Sequence, residues 1–130
     1  MEHLEHLDET WECLRELLSD RGVLIVAVPN CSSYDAGKYG EYWAAYDVPR
    51  HLWHFTPVTI QQLASKHGFI MAARHPMPFD AFYVSMLSEK HRGSSFPFVK
   101  GMCTGTVAWF SALGKKERSS SMIYVFRKKR

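Results

Sequence analysis

One apolar run near the start of the chain constrains the fold more than any other feature. Residues 23–28 are continuously apolar, follow Gly22 and end at Pro29-Asn30. Such a run is typical of a buried strand in a parallel sheet, which needs neighbouring strands on its edges and helices on both faces. About twenty residues precede it, enough for a single helix. The sequence therefore predicts the second half of an α/β domain, without the half that would normally hold a nucleotide.

The composition is that of an ordinary globular domain. The 130 residues are 46% apolar and 22% charged, which predicts one folded domain rather than a disordered chain. The net charge of +3 does not favour nucleic-acid binding, because the basic residues are scattered until the tail at residues 127–130. We expect that tail to be a solvated terminus, with contact to an anionic surface as the alternative.

The cysteines and the N-terminal sequence bear on location. Cys13, Cys31 and Cys103 are odd in number and follow no metal or redox spacing, so we expect thiols in a reducing cytoplasm. The first residues carry no signal-peptide pattern. No run of about 18 apolar residues predicts a membrane span.

Periodicity and capping signals predict the secondary structure. Asp8 is a candidate N-cap for the first helix, whereas a later helix has Thr56 as its cap, Pro57 at its first position and Gly68 after its end. In chain order, the predicted elements are a helix at 8–20, a strand at 23–28, a helix at 57–67, a strand at 69–74, helices at 79–91 and 98–113, and a strand at 121–127.

The remaining stretch, residues 29–55, shows no clean period and holds seven aromatic residues among charged ones. We predict that it forms a lid or substrate loop, with a short helix near 35–45, because a loop of this length in a compact domain is usually functional. The chain, 1–130, is expected to be one domain in which residues 79–113 form a helical insertion before the last strand. The apolar helix within this insertion is expected either to pack against a partner or to contact a membrane interface.

Besides the run from Leu14 to Gly22, four runs of the sequence carry a family resemblance. They are Leu4-Glu5-His6-Leu7-Asp8, Val28-Pro29-Asn30, YDVPRHLWHFTP from Tyr46 to Pro57, and FYVSMLSEK from Phe82 to Lys90. Together they resemble the C-terminal half of bacterial class I S-adenosylmethionine-dependent methyltransferases. The run that begins at Tyr46 is the most specific of the four.

The resemblance implies a partial Rossmann-like methyltransferase sheet of about three strands with flanking helices, in which the N-terminal cofactor-binding half is absent. The strands would lie in the order 23–28, 121–127, 69–74, with the last strand of the chain antiparallel between the other two. The family holds S-adenosylmethionine with a glycine-rich loop, and no G-x-G-x-x-G pattern occurs in this sequence. We therefore expect weak or no binding of S-adenosylmethionine by this chain alone.

The resemblance also assigns residues to the cofactor side and to the crevice. His6 and Leu7 would lie near the cofactor, with packing at a helix entry as the alternative. Asn30 follows a strand at its carboxyl end and is expected to bind substrate or, alternatively, to satisfy the hydrogen bonds of its own turn.

The substrate side is expected in the long loop. Arg50 has the donors to orient a carboxylate or phosphate. His51 is a candidate general base, because methyl transfer to oxygen requires removal of a proton. Tyr46, Asp47 and His54 are further candidates for substrate binding. The alternative for this group is a lid packed by its aromatic residues, with histidines bonded to the backbone.

Two histidine pairs have the spacing of metal ligands, His51-x-x-His54 and His3-x-x-His6. Neither pair has a third ligand at a suitable spacing, so no metal site is predicted.

Two functions remain open. The first is part of an S-adenosylmethionine-dependent methyltransferase that transfers a methyl group to a small or lipid-like acceptor. The second is a non-catalytic methyltransferase-like module that acts through oligomerisation or partner binding. We expect a homo-oligomer through the open edge of strand 23–28, since such an edge invites pairing. A peripheral membrane contact is a further expectation, and a nucleic-acid partner is not expected.

Overall fold

The computed structural model describes residues 1–129, so only part of the basic tail is included. The chain forms five α-helices, three strands and three single turns of 3₁₀-helix within that range. In chain order these are α1 (Leu7–Leu17), β1 (Leu24–Pro29), α2 (Tyr34–Tyr39), 3₁₀ turns at Gly40–Tyr42 and Ala44–Tyr46, α3 (Pro57–Lys66), β2 (Phe69–Met77), α4 (Asp80–His91), α5 (Pro97–Gly114), a 3₁₀ turn at Lys116–Arg118, and β3 (Ser121–Lys128).

The three strands form one sheet in the order β1-β3-β2. β3 runs antiparallel to both neighbours, with Leu24 opposite Phe126 and Pro29 opposite Ser121 on the β1 side. This confirms the predicted strand order and the central, antiparallel position of the last strand. The fold is α/β, in agreement with a partial Rossmann-like methyltransferase sheet.

The hydrophobic core lies between one face of the sheet and helices α1 and α3. Trp11 from α1 is fully buried and makes edge-to-face contacts with Phe69 and Phe126, at ring-centroid distances of 5.4 and 5.6 Å. Ile60 from α3 and Tyr124 from β3 complete the same cluster. Burial of large aromatic and aliphatic side chains of this kind is the main stabilising contribution to a domain of this size.

The prediction that β1 is covered on both faces is wrong for the described residues. Val26 and Val28 face the core, whereas Ile25 is 63% exposed and Ala27 is exposed on the opposite face. The physical reason is that α4 and α5 pack mainly on each other and beside α2, so they do not cover this face of the sheet.

The capping predictions had mixed outcomes. Thr56 caps α3 and forms a capping box with Thr59, as its position predicts. Asp8, in contrast, does not cap α1, because that helix begins at Leu7. The Asp8 carboxylate instead accepts hydrogen bonds from Lys66 Nζ and His67 Nε2, each at 2.8 Å, and these bonds hold the pKa of Asp8 below its usual value.

Helices α4 and α5 form an antiparallel hairpin whose backbones approach closely. A Cβ atom at Gly101 would lie 2.6 Å from Met86 Cα, and one at Gly105 would lie 2.8 Å from Phe82 Cα. Both distances are shorter than a methyl group tolerates, so glycine is required at these positions for the helices to pack this tightly.

Replacing Gly101 by Ala should therefore destabilise the chain. We expect a loss of about 1–2 kcal/mol in the free energy of unfolding, because overpacking costs about 1–3 kcal/mol and the higher helix propensity of Ala offsets about 1. Gly114→Ala is the matched control, since a Cβ there would meet no atom within 4 Å. Urea denaturation followed by circular dichroism measures both variants, and equal stabilities would contradict the packing.

Candidate functional site

A cleft of about 530 Å³ lies at the carboxyl end of β1. Its floor includes Pro29 and the adjacent Ser121 of β3. One wall is the segment from Ala44 to His51, and the other is α4. Ligands of doubly wound α/β proteins bind outside the carboxyl ends of the strands, so the position of the cleft marks it as the candidate site.

The end of β1 is fixed by Asn30. The Asn30 Nδ2 group donates to the carbonyls of Glu117 and Ser119, at 2.7 and 2.9 Å, and its Oδ1 accepts from the backbone N–H and the hydroxyl of Ser32. The residue is 1% exposed. Because each polar atom of the amide already has two partners, this geometry favours the turn-forming alternative over substrate binding.

A second buried polar contact holds the long segment against the sheet. Asp35 of α2 is fully buried, and its Oδ2 accepts hydrogen bonds from Trp43 Nε1 at 2.8 Å and from Ser120 Oγ at 2.7 Å. Trp43 is 1% exposed, as expected of a core tryptophan. Asp35 thus connects α2, the turn that precedes the cleft wall, and the start of β3.

The wall segment turns sharply at Asp47. This residue has φ +40°, in the left-handed region that Asp tolerates better than most residues, and its carbonyl accepts from the backbone N–H groups of Arg50 and His51. The Asp47 Oδ1 atom also accepts from Nε and Nη2 of Arg50. Arg50 is largely exposed and lies at the mouth of the cleft. Its bonds to Asp47 orient its guanidinium there.

His51 is held by its Nδ1 atom, which lies 2.8 Å from the Ala45 carbonyl oxygen. A carbonyl can only accept, so Nδ1 carries the proton and the neutral ring keeps its lone pair on Nε2. The Nε2 atom lies 3.8 Å from Asp47 Oδ2, and the side chain is 11% exposed. This arrangement orients a single basic nitrogen, with a carboxylate close enough to stabilise the protonated ring.

Tyr46 and His54 contact each other rather than the cleft. Their rings meet edge to face at a centroid distance of 5.0 Å, and His54 Nε2 donates to the Tyr46 carbonyl at 3.0 Å. Tyr46 also packs edge to face against Trp43. These contacts agree with the packed-lid alternative for the two residues.

The residues assigned to the cofactor line a separate recess of about 340 Å³. His6 is exposed at the start of α1, and its Nδ1 lies 3.6 Å from Glu9 Oε1. Leu7 is 6% exposed and belongs to the core. The exposed Trp53 borders the recess, and its Nε1 donates to the Leu4 carbonyl at 2.7 Å.

The histidines that approach each other are not the pairs suggested by spacing. Glu2, His3 and His51 place one ligand atom each within 4.8 Å of one another. Burial tends to raise the pKa of Glu2, but a hydrogen bond with its own amide, the α-ammonium group and His51 together lower it below its usual value. Glu2 Oε2 is engaged by the Met1 ammonium at 3.2 Å. The prediction of no metal site stays a prediction.

Sequence reasoning missed the contribution of α4 to the cleft. Asp80, Tyr83, Val84, Leu87 and His91 all line it. Their spacing of three and four residues places them on one helical face, a signal that was available in the sequence. Ser88, in contrast, is buried and structural, since its hydroxyl donates to the Val84 carbonyl and accepts from the Ala44 N–H.

The fold and the cleft together define an α/β protein with a partial Rossmann-like sheet and a site at the carboxyl end of its first strand. A family model described as a methyltransferase domain matches residues 1–73, more than half of the chain. The chain belongs to this family of methyltransferase domains. Helices α4 and α5 and strand β3 lie beyond the matched residues. Among curated proteins, no match to the chain was found.

Proposed function

We propose that this chain forms the acceptor side of an S-adenosylmethionine-dependent methyltransferase. The observation that carries the proposal is His51, a residue of the cleft wall whose Nδ1 is fixed by the Ala45 carbonyl so that Nε2 is left as the basic nitrogen. The acceptor is a hydroxyl group on a small or lipid-like molecule. The cleft suits such an acceptor, because Val84 and Leu87 give it an apolar wall and Asp47, Arg50 and His51 give it a polar one.

When bound, S-adenosylmethionine supplies an electrophilic methyl group whose bond to sulfur breaks with the electron pair left on sulfur. His51 Nε2 takes the proton that the acceptor hydroxyl loses as its oxygen forms the new bond to carbon. Asp47 Oδ2 then stabilises the protonated imidazole. Arg50 would orient an anionic group of the acceptor at the cleft mouth, and the two walls would restrict the position of the acceptor.

The recess beside α1 fits one end of the methyl donor. The carboxylates of Glu5 and Glu9 are suitable acceptors for hydroxyl groups, and the indole of Trp53 offers a flat face for an aromatic ring. His6 would contribute its exposed imidazole, whereas Leu7 would contribute backbone only, because its side chain is in the core. A cytoplasmic location, suggested by the three thiols, stays a prediction.

Titration calorimetry with S-adenosylmethionine tests the proposal. We expect the 130-residue chain alone to bind more weakly than about 100 μM, and a protein extended by the sequence encoded upstream to bind more tightly. Tight binding by the chain alone would contradict the assignment of the residues that bind S-adenosylmethionine to another segment. Failure of the extended protein to bind would contradict methyl transfer itself.

A second candidate function is a non-catalytic module that acts by self-association, and the exposed face of the sheet favours it. Ile25 is 63% exposed, and its cross-strand neighbour Val125 is only partly buried on the same face. Within residues 1–129, β3 is the strand that pairs along the length of β1, which leaves the other edge of β1 available for pairing.

Light scattering at several concentrations tests this second candidate. We expect a homo-oligomer that becomes monomeric with Ile25→Lys, because a charge on the apolar face opposes its burial. Leu17→Lys is the control, since Leu17 is 79% exposed on α1 and lies away from the sheet face. A monomeric parent chain at all concentrations would exclude assembly through β1.

A further inference from the structure

Helix α5 has small residues on its buried side and large apolar residues on its exposed side. This is the reverse of the arrangement in a helix surrounded by water. The side that packs on α4 carries the small residues Gly101, Thr104, Gly105, Ala108 and Ala112, all of which are buried. In a water-soluble helix the large apolar residues face the interior. Small residues at the helix–helix contact are instead the pattern of helices surrounded by lipid.

The outward side of α5 is apolar along its whole length. Phe98, Phe110 and Leu113 are 65%, 60% and 62% exposed, and each is separated from the others by helical spacings that keep them on one side. The full exposed apolar set of this helix, with the residue before it, is Phe96, Phe98, Val99, Met102, Val107, Phe110 and Leu113. A continuous surface of this kind marks an interaction site rather than scattered exposure.

The one hydroxyl on this outward side does not require water. Thr106 Oγ1 donates to the Met102 carbonyl at 2.9 Å, so its hydrogen-bonding proton is used within the helix. The only charged residue within α5 is Lys100, at the border of the apolar side. Transfer of this side out of water therefore does not leave the Thr106 hydroxyl proton without a partner.

Basic residues lie at both ends of the hairpin. Lys90 and Arg92 lie at the turn between the helices, and Lys115, Lys116 and Arg118 follow the end of α5. Residues 79–118 hold six lysine and arginine residues against three acidic residues. Two of those acids are already engaged, since Glu89 is buried against the Tyr39 hydroxyl and Glu117 pairs with Arg74. Cationic ends around an apolar strip complement an anionic lipid surface.

We propose that the α4–α5 hairpin docks this protein on an anionic membrane surface, with the outward side of α5 buried at the headgroup boundary. The helix lies in the plane of the interface, as amphipathic monotopic helices do. No helix in residues 1–129 combines the length and hydropathy needed to cross a bilayer. The hairpin lies outside the matched methyltransferase residues, and the docking does not depend on methyl transfer.

The charge distribution favours lipid over a second copy of the chain. Two copies that meet through α5 would bring together the same excess of lysine and arginine at each end, and like charges in contact oppose association. An anionic bilayer supplies the opposite charge to all of these residues at once.

Vesicle co-sedimentation of the whole chain tests the proposal. We expect at least about tenfold stronger binding to vesicles of phosphatidylcholine with phosphatidylglycerol than to phosphatidylcholine alone. Phe98→Ser with Phe110→Ser should reduce binding at least about tenfold, because two exposed anchors are lost. Lys115→Glu with Lys116→Glu should remove the preference for the anionic vesicles. Circular dichroism should show folded variants, since these side chains are exposed.

The matched control replaces two apolar residues elsewhere that are at least about as exposed, Leu17→Ser with Val58→Ser, and should bind vesicles as the parent does. An equal loss of vesicle binding with this control would overturn the proposal, because binding would then depend on the hydrophobicity of the whole surface and not on α5. Absence of binding to either vesicle would also overturn it. So would an oligomer that dissociates with the Phe98 and Phe110 changes while vesicles have no effect, because the occupant of this face would then be a second copy.

Discussion

The site depends first on the buried amide of Asn30. This one side chain connects the end of β1 to the carbonyls of Glu117 and Ser119, just before β3 begins. The bond to the Ser119 carbonyl is buried and the bond to the Glu117 carbonyl is partly buried, so removal of the amide would leave a buried carbonyl without this partner. It sets where the chain leaves the sheet, and the following segment then runs from α2 through the turn at Asp47 to the cleft wall. A misplaced strand end would displace the wall that the following segment forms at residues 44–51.

The cleft and the hairpin share α4, which gives the molecule a physical connection between them. One side of α4 carries Tyr83 and Leu87 to the cleft, and another carries Phe82 and Met86 to the glycines of α5. Tyr83 is 63% exposed, so this part of the α4 wall is open to solvent.

Local signals in the sequence were enough to predict much of the fold, and long-range contacts explain what they missed. Thr56 and Pro57 determine the start of α3 through bonds within one turn, and the structure confirms them. Asp8 has the same type of local signal, but Lys66 and His67, which are distant in sequence, bind it instead. In the candidate site, the sequence predicts where the strand ends. It does not predict the partners of Asn30, because these lie 87 and 89 residues away.

The protonation of His51 tests the central claim most directly. Long-range ¹H–¹⁵N correlation of the ¹⁵N-histidine-labelled chain at neutral pH reports which ring nitrogen carries the proton, and loss of the signals in His51→Gln assigns them. The hydrogen bond to the Ala45 carbonyl predicts a proton on Nδ1 and a resonance of an unprotonated nitrogen for Nε2. A proton on Nε2 would contradict the account, because this nitrogen would then be a donor and not a base.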